Sequence, residues 1–89
     1  MSTVTPDPTK YYAYFQRGGR DAYECLRVVP EDVFRVLKEH EDELDRGNIP
    51  EEAEDAYEKA HDCEDIADEV APKDYDAIPD DHFTRITVC

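Results

Sequence analysis

Residues 10 to 29 read KYYAYFQRGGRDAYECLRVV. Two runs rich in Tyr, Phe and Val flank Gly18 and Gly19, and paired glycines supply the positive φ values that a two-residue hairpin turn requires. The stretch therefore predicts a β-hairpin over 10–29. With Gly18 and Gly19 as the central turn residues, Phe15 faces Ala22, Tyr14 faces Tyr23, Ala13 faces Glu24, Tyr12 faces Cys25 and Tyr11 faces Leu26. One face then carries Tyr11, Ala13, Phe15, Leu26 and Val28, and the other carries Tyr12, Tyr14, Tyr23 and Cys25.

On the N-terminal side, residues 1–9 contain Pro6 and Pro8 and predict an extended, loosely held arm. On the C-terminal side, Pro30 and two following acids suit the first turn of a helix over 30–46, which Gly47 is placed to end. Val33, Phe34, Leu37, His40, Glu41 and Leu44 recur at three- and four-residue steps, so this helix is amphipathic. A second helix is predicted over 50–71, with Ala53, Ala56, Tyr57, Ala60, Cys63, Ala67 and Val70 as its inner stripe. Small residues dominate that stripe and allow close approach to a neighbour. Residues 72–81, PKDYDAIPDD, read as an acidic loop. Residues 82–89, HFTRITVC, set Thr84, Ile86 and Val88 against Phe83, Arg85 and Thr87, the alternation of a strand.

These elements predict a single domain over 1–89, α+β in class. Its expected form is a three-stranded antiparallel sheet in the order β-β-α-α-β, with two helices packed on one face. In that arrangement Tyr12, Tyr14 and Tyr23 line an open sheet face. They either steady a thin sheet by cross-strand pairing or form a binding or dimer surface, since Tyr is enriched in interfaces.

Composition narrows the function. The 89 residues carry 24 Asp and Glu against 10 Lys and Arg, a formal charge of −14. Nucleic acid and anionic membrane surfaces repel such a chain, so no direct nucleic-acid binding and no membrane association are expected, and the natural partners are basic. Nine aromatic residues, six Tyr and three Phe, set it apart from disordered acidic chains. No run reaches the ~18 to 20 apolar residues of a membrane helix and the start lacks the apolar core of a secretory signal, so a cytoplasmic location is expected. Cys25, Cys63 and Cys89 are odd in number and lack CxxC spacing, which argues against a disulfide framework or a zinc knuckle.

The acids are unevenly placed. Residues 39–45 read EHEDELD, and residues 50–70 read PEEAEDAYEKAHDCEDIADEV, where ten of twenty-one positions are acidic and Lys59 alone answers them. Seven of the ten basic residues fall within the first 46. As a helix, 50–70 spans about 30 Å with nine net negative charges, one per ~3.4 Å, the spacing of phosphates along one DNA strand. Other readings of this segment are a solvated face in a saline cytoplasm, a disordered tail and a calcium loop. DYDAIPDD lacks the Gly and the final Glu of an EF-hand loop. His61 and Cys63, with His40 or His82, have no specific metal spacing. No GxSxG, phosphate-binding loop or HExxH motif is present, so no catalytic residue, metal or cofactor is expected and the chain reads as a non-enzyme.

In size, in its compact α+β reading and in the two acidic stretches, the chain resembles small phage-encoded proteins that disarm bacterial defence, the DNA-mimicking anti-CRISPR and anti-restriction proteins. The resemblance is one of character and transfers no residue role. It implies a viral, non-enzymatic inhibitor in the host cytoplasm. Such an inhibitor blocks the DNA- or RNA-binding surface of a basic protein, for instance a CRISPR surveillance complex or a nuclease. On this reading Glu51, Glu54, Asp55, Glu58, Asp62, Asp65 and Asp68 are the expected partner-binding residues, with Tyr12, Tyr14 and Tyr23 as apolar anchors. The alternative is an acidic interaction module, viral or halophilic, that forms a homodimer or docks a partner through the tyrosine face.

Overall fold

The computed structural model describes residues 6–7, 9–17, 20, 23–67, 69–70 and 72–87. Its sheet has three strands: β1 (Tyr11–Arg17) in the centre, β2 (Tyr23–Val29) antiparallel on one side and β3 (Phe83–Thr87) parallel on the other. The α+β class is as expected, but the sheet is mixed and not wholly antiparallel. A physical reason lies at the outer edge of β2. There the Ile66 amide donates to the Leu26 carbonyl (2.7 Å) and Asp65 forms an isolated bridge with Arg27. With that edge taken, β3 pairs with the free side of β1 and runs in its direction.

The hairpin forms with a different register. Tyr14 faces Leu26, Phe15 faces Cys25, and the last pair is Arg17 with Tyr23, so residues 18–22 join the strands instead of a two-residue turn. Gly18 and Gly19 themselves lie outside the described residues. The change from the expected pairing is three positions, an odd number, and an odd slip moves a strand's side chains to the opposite face. Leu26 and Val28 therefore join Tyr12 and Tyr14, while Cys25 and Val29 join Ala13 and Phe15.

Helices cover the Ala13 and Phe15 face. α1 (Glu31–Glu39) contributes Val33, Phe34 and Leu37, α2 (Glu41–Asp45) contributes Leu44, and α3 (Glu51–His61) contributes Ala56 and Ala60. The expected helix over 30–46 is thus two helices, parted at His40, whose φ of −106° and ψ of 21° leave the helical region. The break has an electrostatic rationale. In one continuous helix Glu41, Asp42 and Glu43 would crowd the negative C-terminal end, whereas in α2 they form the first turn at a positive end. Gly47 ends α2 as expected. Its φ is 85°, and bonds from Gly47 to Leu44 and from Asn48 to Glu43 complete a Schellman cap.

The second helix is shorter than its periodicity suggests. It stops at His61, and the residues that continue its stripe cross to the other side of the sheet. There Ile66, Ala67 and Val70 pack with Tyr75 and Ile78 over Tyr12, Tyr14, Leu26 and Phe83. Magnitudes favour the crossing. Burying a Leu or aromatic side chain contributes about 1.5 to 3 kcal/mol. Helix propensity differs by at most ~0.7 kcal/mol per ordinary residue. Arg27 secures the exit, donating from its guanidinium to the Cys63 carbonyl while lying 5.8 Å from the Phe15 ring centroid.

Two further expectations change. The segment 72–81 is not irregular: Pro72–Ala77 and Asp80–His82 are short 3₁₀ helices. Where it is described, the N-terminal arm is anchored, with Pro6 buried and the Asp7 amide donating to the Tyr12 hydroxyl (2.8 Å), which in turn donates to the Asp7 carbonyl (3.2 Å). The closing strand alternates as predicted, with Thr84 and Ile86 fully buried and Arg85 exposed.

Candidate protein-binding surface

The acids of α3 are arranged by its packing. Ala53, Ala56 and Ala60 are buried, and a helix that hides positions 53, 56 and 60 turns 51, 54, 55 and 58 outward. Glu51, Glu54, Asp55, Glu58 and, at the C-cap, Asp62 are all exposed. Glu51 is three and four residues from Glu54 and Asp55, these are four and three from Glu58, and Glu58 is four from Asp62, so the five form one ridge. The helix supports its own charge order: Glu51, Glu52 and Glu54 occupy the first turn, where the dipole is positive, and Lys59 and His61 occupy the last. Because α3 ends at His61, the ridge from Glu51 to Asp62 is about 16 Å long, not about 30 Å. Its five carboxylates fall one per ~4 Å, near the ~3.4 Å phosphate spacing of a single DNA strand.

The remaining expected contact residues do not join this ridge. Asp65 is exposed but lies beside β2, where its Oδ1 accepts the Ala67 amide (2.9 Å). Asp68 and the Tyr23 side chain lie outside the described residues. Tyr12 and Tyr14 are 2 % and 6 % exposed, so the tyrosine face is not open and neither ring is an anchor for a partner. Ile66, Ala67, Val70, Tyr75 and Ile78 cover them, on the face where the alternative reading set a second copy or a docked partner. Burial, then the carboxylate of Glu24, push the Tyr14 hydroxyl up to about 12, and burial also raises Tyr12.

His61, His82, Cys25 and Cys63 have ordinary packing partners, and Cys89 lies outside the described residues. His61 packs edge-on to Phe15 and near Tyr57, and Cys63 donates from Sγ to the Lys59 carbonyl (3.2 Å). His82 stacks on Tyr11 at 4.4 Å. Cys25 is buried, which raises its thiol. Among the described residues no three His, Cys, Asp or Glu side chains are grouped to hold a metal, and no helix is long and apolar enough to cross a membrane.

A second acidic cluster emerges from the tertiary structure. Glu41, Asp42 and Asp45 of α2 and Asp80 share a cleft of about 310 Å³ with Lys38, Phe83 and Arg85, alongside β3. EHEDELD announces the α2 acids in the sequence, but nothing local indicates that β3 returns beside them. Comparison of the chain with protein-family models, with curated proteins and with solved structures gives no match.

Proposed function

We propose that this protein is a non-enzymatic inhibitor that occupies the nucleic-acid-binding surface of a basic protein, in the manner of an anti-CRISPR or anti-restriction protein. The observation that carries the reading is the ridge Glu51, Glu54, Asp55, Glu58 and Asp62, exposed in a line on a helix whose opposite side is buried. A groove built to track phosphates presents preoriented Lys and Arg side chains, and carboxylates at near-phosphate spacing accept charge-assisted hydrogen bonds from them. Fixing the acids on a packed helix reduces the ordering cost of binding. Complementary fields speed the encounter and restrict it to basic partners. The reading requires no catalytic group, since denying access to DNA or RNA is sufficient for inhibition.

The test compares the wild type with a variant carrying Glu54→Lys, Asp55→Lys, Glu58→Lys and Asp62→Lys. All four positions are exposed, so the fold is expected to persist. Each protein is immobilised and challenged with a bacterial lysate at about 0.15 M salt, where the Debye length is ~8 Å. The wild type is expected to retain a nucleic-acid-binding protein that added duplex DNA releases, and the variant to lose it. Equal retention by both proteins, or retention indifferent to DNA, overturns the proposal.

A further inference from the structure

The two edges of the sheet are treated differently. The outer edge of β2 is covered by residues 63–66, through the Ile66 amide on the Leu26 carbonyl and the Arg27 guanidinium on the Cys63 carbonyl. Because the Leu26 carbonyl points outward, its antiparallel partner Tyr14 turns its backbone groups toward β3. Arg85 stands level with Tyr14, so its own amide and carbonyl point away from β1, and strand alternation gives Phe83 and Thr87 the same direction. A separate contact agrees: the Phe83 carbonyl accepts a hydrogen bond from Lys38 Nζ (3.0 Å). Among the described residues the Phe83 amide donates to the Asp80 carbonyl, and no group is bonded to the outward backbone of Arg85 or Thr87.

An unpaired edge is a template for another strand, and charged side chains such as Lys are a common means of guarding one. Lys38 is also held by Glu41 Oε2 (2.7 Å). The cleft that contains this ammonium runs along the same edge and is walled by Glu41, Asp42, Asp45 and Asp80. We propose that the outer edge of β3 accepts an extended, Lys- or Arg-rich segment of a partner protein as a fourth strand. Main-chain bonds to Arg85 and Thr87 would supply the register, and alternate basic side chains of the incoming strand would meet the α2 carboxylates. A second copy of this chain is disfavoured as the occupant, because it would bring a second set of these acids into a molecule of charge −14. The proposal uses none of the carboxylates of α3.

The test uses the intact protein and a synthetic peptide of about eight residues alternating Lys and Val, which matches the two-residue period of a strand. Backbone amide spectra and hydrogen exchange are recorded during titration. Peptide addition is expected to protect the Arg85 and Thr87 amides. A peptide of the same sequence with every backbone amide N-methylated is expected to give no protection, because it keeps the charge and loses the donors on both of its edges. Asp42→Lys with Asp45→Lys should weaken binding about tenfold, and Lys38→Ala should strengthen it by freeing the Phe83 carbonyl. Three results overturn the proposal. These are unchanged Arg85 and Thr87 exchange, equal binding of the N-methylated peptide, or protection that appears on raising protein concentration without peptide. The last would assign the edge to self-pairing. None of these results depends on whether the α3 ridge binds its own target.

Discussion

The Tyr14 hydroxyl sits where burial opposes its ionisation, and the carboxylate of Glu24 reinforces the effect, so its pKa rises from 10.0 to about 12. A group held protonated by the fold contributes stability that is fully present below its unfolded pKa. That contribution is lost as pH rises through the folded pKa. The window is therefore about pH 10 to 12, and Tyr12, raised for the same main reason, acts in the same direction. In an alkaline titration followed by tyrosinate absorbance and circular dichroism, part of the tyrosinate signal is expected to appear only with unfolding. Tyr14→Phe removes the ionisable group while keeping the ring in the cluster with Tyr75 and Phe83, so its alkaline unfolding should begin at higher pH than the wild type's. An unchanged midpoint would show that Tyr14 does not drive the transition.

At the scale of elements, α3 is a small-residue contact on one side and a charged ridge on the other, and the two sides should respond differently to substitution. Ala60 is fully buried in the core shared with α1 and the sheet, so Ala60→Leu forces extra volume into a close approach. Overpacking of this kind costs about 1 to 3 kcal/mol. Glu58→Ala on the exposed side should change stability by no more than ~0.5 kcal/mol. Urea denaturation of both variants checks the contrast, and comparable losses would mean that α3 is not seated as described. This two-sided character was legible in the sequence, because Ala spacing and acid spacing are local properties of one segment. So were the two helix starts at Pro30 and Pro50, the cap at Gly47 and the alternation of the closing strand. Pairing was not. The register depended on residues 18–22, where Gly-Gly suggested a tighter turn, and the place of β3 beside β1 depended on residues 63–66 occupying the far edge of β2. The end of α3 was hidden because Ala67 and Val70 continue its stripe while packing on Tyr12 and Leu26 across the sheet. For the same reason the tyrosine face read as open, and Asp42, Asp45 and Asp80 did not read as one cluster.

For the whole molecule, salt acts in opposite directions on folding and on recognition. A charge of −14 sets like charges against one another in the compact state, and added salt screens them, with the Debye length falling from ~30 Å at 0.01 M to ~3 Å at 1 M. The melting temperature should therefore rise with sodium chloride across that range. Steered association with a basic surface is weakened by the same screening, so the on-rate for a captured partner should fall over the range in which the fold gains stability. The variant with four reversed charges on the α3 ridge separates the two effects. Each reversal adds two positive units, so −14 becomes −6. Its melting temperature at low salt should exceed that of the wild type and depend less on salt, although it no longer binds. A purely halophilic surface predicts the stabilisation without any salt-sensitive partner. Melting curves and association rates measured on the same salt series distinguish the two, and an on-rate indifferent to salt would remove electrostatic mimicry as the basis of recognition.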